Sequence, residues 1–89
     1  MATHKRPALR LAIGQRLRQV RVAAGLGSQE RLANLAGVHR TYVGRLERGE
    51  TGVTVDMLVT ILAPTGVTLA QFFRPFTDIH KTRSPRRRA

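Results

Sequence analysis

The chain has 89 residues, enough for one small domain with short tails, and a chain of this length buries only a modest core. It contains no cysteine, which excludes disulfides, zinc–thiolate sites and thiol catalysis. Its 16 Lys and Arg residues against 5 Asp and Glu residues give a formal net charge of +11, which predicts a polyanionic partner.

The sequence favours a nucleic acid over a membrane as that partner. No apolar run approaches the roughly 18 residues of a spanning helix, and no signal-peptide segment follows the basic start. We therefore expect no membrane contact and a cytoplasmic location. The basic residues concentrate at the ends of the chain, which predicts an N-terminal arm over residues 1–7, a folded domain over 8–74 and a C-terminal tail over 75–89.

The first predicted helix spans about residues 8–24. Pro7 suits its first turn, where the missing N–H has no partner to lose, and Gly25 ends it. Its apolar residues recur at spacings of three and four and form one stripe. They are Leu9, Ile13, Leu17, Val20 and Ala24.

Two short helices joined by a tight turn are predicted next. Ser28 is the expected N-cap of the second helix, whose buried side is predicted to comprise Leu32, Leu35 and Ala36. Gly37 supplies a left-handed turn residue. A helix of about eight residues, a short turn containing glycine and another short helix form the helix-turn-helix pattern. The third helix, about 40–48, buries Val43 and Leu46 and leaves exposed Arg40, Thr41, Gly44, Arg45 and Arg48.

Two further helices complete the predicted bundle. Thr54 can cap the fourth, which ends near Ala63 because proline follows. Thr68 to Gln71 has capping-box spacing for a fifth, from Leu69 to about Phe73. The apolar face predicted for the fourth consists of Val55, Leu58, Val59 and Leu62. The expected fold is all-α, a compact bundle of five short helices containing a helix-turn-helix.

Residues 12–73 resemble the lambda-repressor-like (Xre/Cro-type) helix-turn-helix family. The residues that carry this resemblance are Ile13 to Arg18, Arg21, Ser28 to Glu30, Leu32-Ala33, Ala36 to Val38 and Leu46 to Gly49. Within the family, residues 39–44 and 47–50 resemble the controller proteins of restriction–modification systems, which are small dimeric regulators of their own operon. The resemblance implies the same all-α fold and binding to double-stranded DNA.

The sequence departs from the family pattern at four places. Gly27 is one residue more than usual before Ser28, and Arg31 stands where a capping-box acid is common. His39 replaces the usual Ser or Thr cap of the third helix. Pro64-Thr65 replaces an Ala/Leu pair, so the end of the fourth helix can differ in shape.

The exposed side of the third helix is the predicted base-contacting surface. Arg40 and Arg45 can each donate to guanine O6 and N7, which discriminates by about 1–3 kcal/mol per good pair. Thr41 offers a hydroxyl or a methyl group to a base. Gly44 lets the helix lie deeper in the major groove. The alternative for an arginine-rich helix face is plain solvation.

Phosphate contacts are predicted around this surface. Gln29 occupies the family's phosphate-contacting position, and helix N-termini suit phosphate. Arg48 is expected to contact the DNA backbone. His39 is expected to cap the third helix or to contact a phosphate, and Tyr42 to bind a phosphate or to cover the edge of the core. Two basic segments, Lys5-Arg6 and Arg86 to Arg88, can follow the phosphates or enter an A·T-rich minor groove. A solubilising tail is an equal alternative for the C-terminal run.

Two further sets of residues have structural roles. By resemblance, Arg21 and Glu47 form an ion pair between the first and third helices. Phe72, Phe73 and Phe76 either fold back on the core or meet a partner chain. The homodimer surface is predicted to comprise Val67, Leu69, Phe72 and Phe73.

The predicted function is a homodimeric, sequence-specific transcriptional regulator that binds a palindromic operator. The alternative is a DNA-binding antitoxin of a toxin–antitoxin pair, although the residues after Phe73 have little of the apolar pattern typical of such extensions. Scattered histidines and the lack of a paired acid or Gly-rich phosphate loop argue against an enzyme. No cofactor, metal or small-molecule ligand is expected.

Overall fold

The computed structural model describes residues 6–77, and this part of the chain is helical without strands. Its elements are α1 (Pro7–Ala23), α2 (Gln29–Ala36), α3 (Arg40–Glu47), α4 (Val55–Leu62), a 3-10 turn (Ala63–Thr65) and α5 (Leu69–Phe73). The predicted all-α bundle of five helices with a helix-turn-helix is confirmed. Residues 1–5 and 78–89, which include most of the predicted N-terminal arm and C-terminal tail, lie outside the described residues.

Side-chain caps begin most of the helices, because the first N–H groups of a helix have no partner within it. The Ser28 hydroxyl accepts from Arg31 N at 3.0 Å, and the Thr54 hydroxyl accepts from Met57 N at 3.1 Å. At α5, Thr68 and Gln71 satisfy each other's backbone N–H groups in a full capping box. The Ser28 cap lacks its reciprocal half, as expected with Arg31 at that position.

The core lies where α1, α2, α3 and α4 meet, and α5 closes it. Its members are apolar side chains that expose at most a few percent of their surface. They are Leu17, Val20, Leu26, Leu32, Ala33, Val43, Leu46, Leu58, Ile61, Leu62 and Phe72. Every one of the five helices therefore contributes to a single core.

Several residues predicted to be buried are exposed instead. Leu35 is 58% exposed, because the core side of α2 is centred between Leu32 and Ala33 and Leu35 lies about 100° away. Val55 and Val59 are also exposed, since α4 turns Ile61 inward rather than Val59. Ala24 follows the end of α1 and is exposed as well.

Backbone contact between α1 and α3 depends on Gly14. A Cβ added there would collide with the Leu46 carbonyl oxygen and would lie 2.7 Å from the Glu47 carbonyl oxygen. The two helices therefore touch through their backbones at this point, which fixes α3 against α1. The turn between α2 and α3 uses Gly37, whose φ of 75° is in the left-handed region.

The fourth helix ends differently from a simple stop at proline. Its α-helical hydrogen bonding ends at Leu62, and Ala63–Thr65 continue as one 3-10 turn that Gly66 closes. The Thr65 hydroxyl donates to Leu62 O at 2.6 Å and accepts from Val67 N at 3.1 Å. Pro64 is tolerated because it occupies the start of this turn.

Candidate nucleic-acid interface

A buried ion pair joins α1 to the end of α3. Arg21 Nε donates to Glu47 Oε2 at 2.7 Å, and Arg21 Nη2 donates to Glu47 Oε1 at 3.1 Å. The two side chains are 5% and 2% exposed. Arg21 Nη1 also donates to Leu26 O at 2.9 Å, which holds the chain between α1 and α2. The pair that the resemblance implied is present, and it fixes the angle of α3.

Gln29 is held by the same carboxylate. Its Nε2 donates to Glu47 Oε1 at 2.9 Å, so the side chain at the start of α2 is tied to the end of α3. The side chain of this predicted phosphate-contacting residue is therefore half-buried and held in one orientation within the folded chain. Sequence reasoning missed this link because eighteen positions separate the two residues along the chain.

Three of the predicted base-contacting residues lie exposed on α3. They are Arg40 and Thr41 in its first turn and Arg45 in its last turn. Gly44 was also predicted to be exposed on this face, but it is buried, because the side chains of Gln29 and Arg48 cover it. A Cβ there would lie 3.0 Å from Gln29 Oε1 and 3.1 Å from Arg48 Nη1. Its missing side chain makes room for neighbouring side chains.

Two carboxylates lie beside this face of α3. Glu30 approaches Arg40 Nη1 at 3.6 Å, with both side chains largely exposed. Glu50 accepts from Arg48 Nε at 2.8 Å and from Arg48 Nη2 at 3.2 Å. The hydrogen bonds to Glu50 raise the pKa of the Arg48 guanidinium, and the same bonds lower the pKa of the Glu50 carboxyl group. Among residues 6–77, Arg45 makes no such ion pair.

His39 and Tyr42 flank the exposed face of α3. His39 Nδ1 accepts from Thr41 N at 3.0 Å, so the imidazole caps the helix in place of the family's hydroxyl. Tyr42 packs partly against the core, and this burial raises the pKa of its phenol above the ordinary value. Tyr42 thus covers the edge of the core, while its hydroxyl remains a candidate hydrogen-bond donor to a DNA phosphate.

The basic arms are described only in part. Arg6 is exposed at the start of α1 and makes no side-chain cap for that helix. Lys5 and the C-terminal arginines, predicted to contact DNA or to solubilise the chain, lie outside the described residues.

The predicted dimer surface needs one correction. Phe72 is fully buried in the core of its own chain and cannot offer a surface to a partner. Phe73 is 37% exposed and packs edge-to-face on the Phe72 ring at 4.9 Å. Val67 and Leu69 are half-buried and pack against the core. The alternative that the phenylalanines fold back on the core holds for Phe72.

Arg16 links α1 to α5, a role that the sequence did not predict. Its Nε donates to Phe72 O and its Nη2 donates to Gln71 O, both at 2.7 Å. Its guanidinium carbon lies 5.8 Å from the centre of the Phe72 ring. These contacts satisfy carbonyl groups at the end of α5 and attach that helix to α1.

Within residues 6–77, no helix is long and apolar enough to cross a membrane. The same residues contain no group of three or more His, Cys, Asp or Glu side chains that could hold a metal ion.

The fold and the exposed face of α3 define a helix-turn-helix protein. Residues 12–72 match the family model described as a helix-turn-helix domain, so the chain belongs to that family of DNA-binding transcriptional regulators. The resemblance to restriction–modification controller proteins is also confirmed by its relatives.

Three of these relatives illustrate the similarity. The control protein C.BamHI of Bacillus amyloliquefaciens is 41% identical over 59 residues, which are 66% of this chain and 73% of that protein. The restriction–modification controller C.AhdI of Aeromonas hydrophila is 38% identical, with a TM-score of 0.72 over 79% of this chain and 100% of that chain. The controller C.Esp1396I, solved as a tetramer with its natural 35-base-pair operator, is 27% identical, with a TM-score of 0.71 over 82% of this chain and 96% of that chain.

Proposed function

We propose that this protein is a sequence-specific, homodimeric transcriptional regulator whose α3 contacts base edges in the major groove of double-stranded DNA. The observation that carries the proposal is the exposed row formed by Arg40, Thr41 and Arg45 on a helix that is held against the rest of the domain by buried contacts. A major groove admits one α-helix, and forked arginine donors match the two acceptors of guanine. The solved operator complex of C.Esp1396I supports this proposal by analogy.

Base recognition requires α3 to be held at a fixed angle to the rest of the domain. Arg21, Glu47 and Gln29 connect three helices through one buried carboxylate. This network sets the angle of α3 relative to the start of α2, where Gln29 is proposed to contact a phosphate. Phosphate contacts fix the register of a protein on the duplex, and base contacts then select the sequence.

The proposed dimer forms through α5. Phe73 supplies exposed apolar surface there, with Val67 and Leu69 beside it, while Arg16 holds the end of the helix in place. Two copies of α3 would then contact half-sites about 34–36 Å apart on a palindromic operator. Replacing Phe73 by Glu should dissociate the dimer in sedimentation, whereas Val22→Glu, at an exposed apolar residue of α1, should not.

Selection of bound sites from random duplex DNA at fixed salt tests the function. We expect an enriched palindrome with two equivalent half-sites. Enrichment of no sequence would contradict the proposal. The similarity to the controllers C.BamHI and C.AhdI favours a controller of restriction–modification genes over an antitoxin. Purification of the protein bound to an unrelated toxin polypeptide would reverse that preference.

A further inference from the structure

Glu50 forms the tightest exposed ion pair beside the proposed DNA-contacting face. Its two carboxylate oxygens accept from Nε and Nη2 of Arg48 at 2.8 and 3.2 Å. The Glu30–Arg40 contact, by comparison, is a single approach at 3.6 Å. Arg48 and Glu50 are both about half exposed, so the pair is open to exchange with an external anion.

The backbone returns Glu50 to the end of α3. Gly49 has a φ of 74°, and the N–H of Glu50 donates to Arg45 O at 2.9 Å. An anion near a helix C-terminus opposes the helix dipole, so stabilisation of α3 does not explain a carboxylate there. Arg48 and Arg45 compensate for it, and both lower the pKa of the Glu50 carboxyl group.

Glu50 occupies the same donors that a DNA phosphate would use. The Nε and Nη2 groups of arginine form a fork that binds either a carboxylate or a phosphate through two parallel hydrogen bonds. Arg48 also lines the open groove between the start of α2 and α3, beside Gln29 and Thr41. For Arg48 to bind a phosphate with this fork, both bonds to Glu50 must break.

We propose that Glu50 competes with the DNA backbone for the Arg48 guanidinium and thereby lowers the affinity of this protein for DNA of any sequence. The proposal rests on the function proposed above. Phosphate contacts carry no sequence information, so the competition weakens non-specific binding and leaves base contacts by Arg40 and Arg45 to discriminate. A protein of net charge +11 has strong non-specific attraction to DNA, which such a carboxylate would limit.

The test compares Glu50→Gln with Asp56→Asn on a non-operator duplex over a range of salt concentrations. Both changes remove one negative charge, but Asp56 makes no ion pair among the described residues. We expect Glu50→Gln to tighten non-specific binding about two- to fivefold more than Asp56→Asn does. It should also make the slope of log affinity against log salt steeper by at most about 0.9, the value for one full added phosphate contact.

A double-mutant comparison identifies Arg48 as the group through which Glu50 acts. In an Arg48→Ala background, Glu50→Gln should have no larger effect than Asp56→Asn. Equal effects of the two substitutions in the native background, or an undiminished Glu50→Gln effect without Arg48, would overturn the proposal. If the native protein selects a palindrome while either of these results is found, the competition is wrong and the proposed function stands. If it selects no sequence while Glu50→Gln tightens non-specific binding as expected, the proposed function is wrong and the competition stands.

Discussion

Replacing Glu47 by alanine should destabilise the protein more than any substitution at an exposed ion pair. The substitution leaves the Arg21 guanidinium buried with only its bond to Leu26 O, and it removes the acceptor of the Gln29 amide. An uncompensated charge then remains in a site where the arginine side chain is 5% exposed. Such a charge must either stay desolvated or open the contact between α1 and α3.

The size of the effect follows from what is lost. Glu47 accepts three hydrogen bonds, two from Arg21 and one from Gln29, at distances of 2.7 to 3.1 Å. Removing one partner of a buried pair costs about 3–5 kcal/mol of unfolding free energy. The free energy of unfolding of a small domain is only about 5–15 kcal/mol, so the Glu47→Ala variant should lose a large share of the stability of the native protein. Replacing both partners with apolar residues, as in Arg21→Met/Glu47→Leu, should be much less harmful than Glu47→Ala alone.

Urea unfolding followed by circular dichroism measures these differences, with Glu50→Gln as the control for loss of an exposed pair. The urea concentration at the unfolding midpoint should fall steeply for Glu47→Ala and hardly change for Glu50→Gln. In the double variant, most of the loss caused by Glu47→Ala should be recovered. Equal midpoints for Glu47→Ala and Glu50→Gln would refute the argument from burial. A double variant less stable than Glu47→Ala would show that the pair stabilises the fold in its own right.

Three further outcomes are expected. Gly14→Ala should lower the unfolding midpoint because backbone oxygens occupy the position of its Cβ, whereas Gly27→Ala, with nothing within 4 Å, should leave it unchanged or raised. Gly44→Ala should weaken DNA binding, because the added Cβ would lie 3.0 Å from Gln29 Oε1 and displace that side chain; unchanged or stronger binding would contradict this. Tyr42, the only tyrosine, should ionise at higher pH in the folded than in the urea-unfolded protein when followed by ultraviolet absorbance. Since its folded pKa is the higher one, its contribution to stability is complete below about pH 10 and is lost as pH rises further; equal titrations would contradict burial.

Features set by neighbouring residues were predictable from the sequence. The caps Ser28, Thr54 and Thr68 lie within three residues of the groups they bind, so their chemistry marks the helix starts directly. The left-handed turn at Gly37 is equally local. The family resemblance then supplied the Arg21–Glu47 pair, which spacing alone would not reveal.

Other features that depend on contacts between distant residues could not be predicted. Leu35 has the hydrophobicity of a core residue, and only the placement of α3 and α4 against α2 decides that it faces outward. Arg16 reaches carbonyl groups fifty-five and fifty-six positions away, for which helix periodicity contains no signal. Likewise, the apolar character of Phe72 fits a core or a dimer interface equally well.

Base preference measured with single-residue variants tests the central claim, that α3 contacts base edges while Gln29 contacts the backbone. The assay determines affinity for every single-base change in the selected site, at one salt concentration, for the native protein, Arg45→Ala and Gln29→Ala. Arg45→Ala should abolish a guanine preference at one position of each half-site, worth about 1–3 kcal/mol, and keep the preferences elsewhere. Gln29→Ala should weaken all sites alike. Unchanged base preferences in Arg45→Ala, together with a uniform loss of affinity, would contradict the assignment of Arg45 to base contacts.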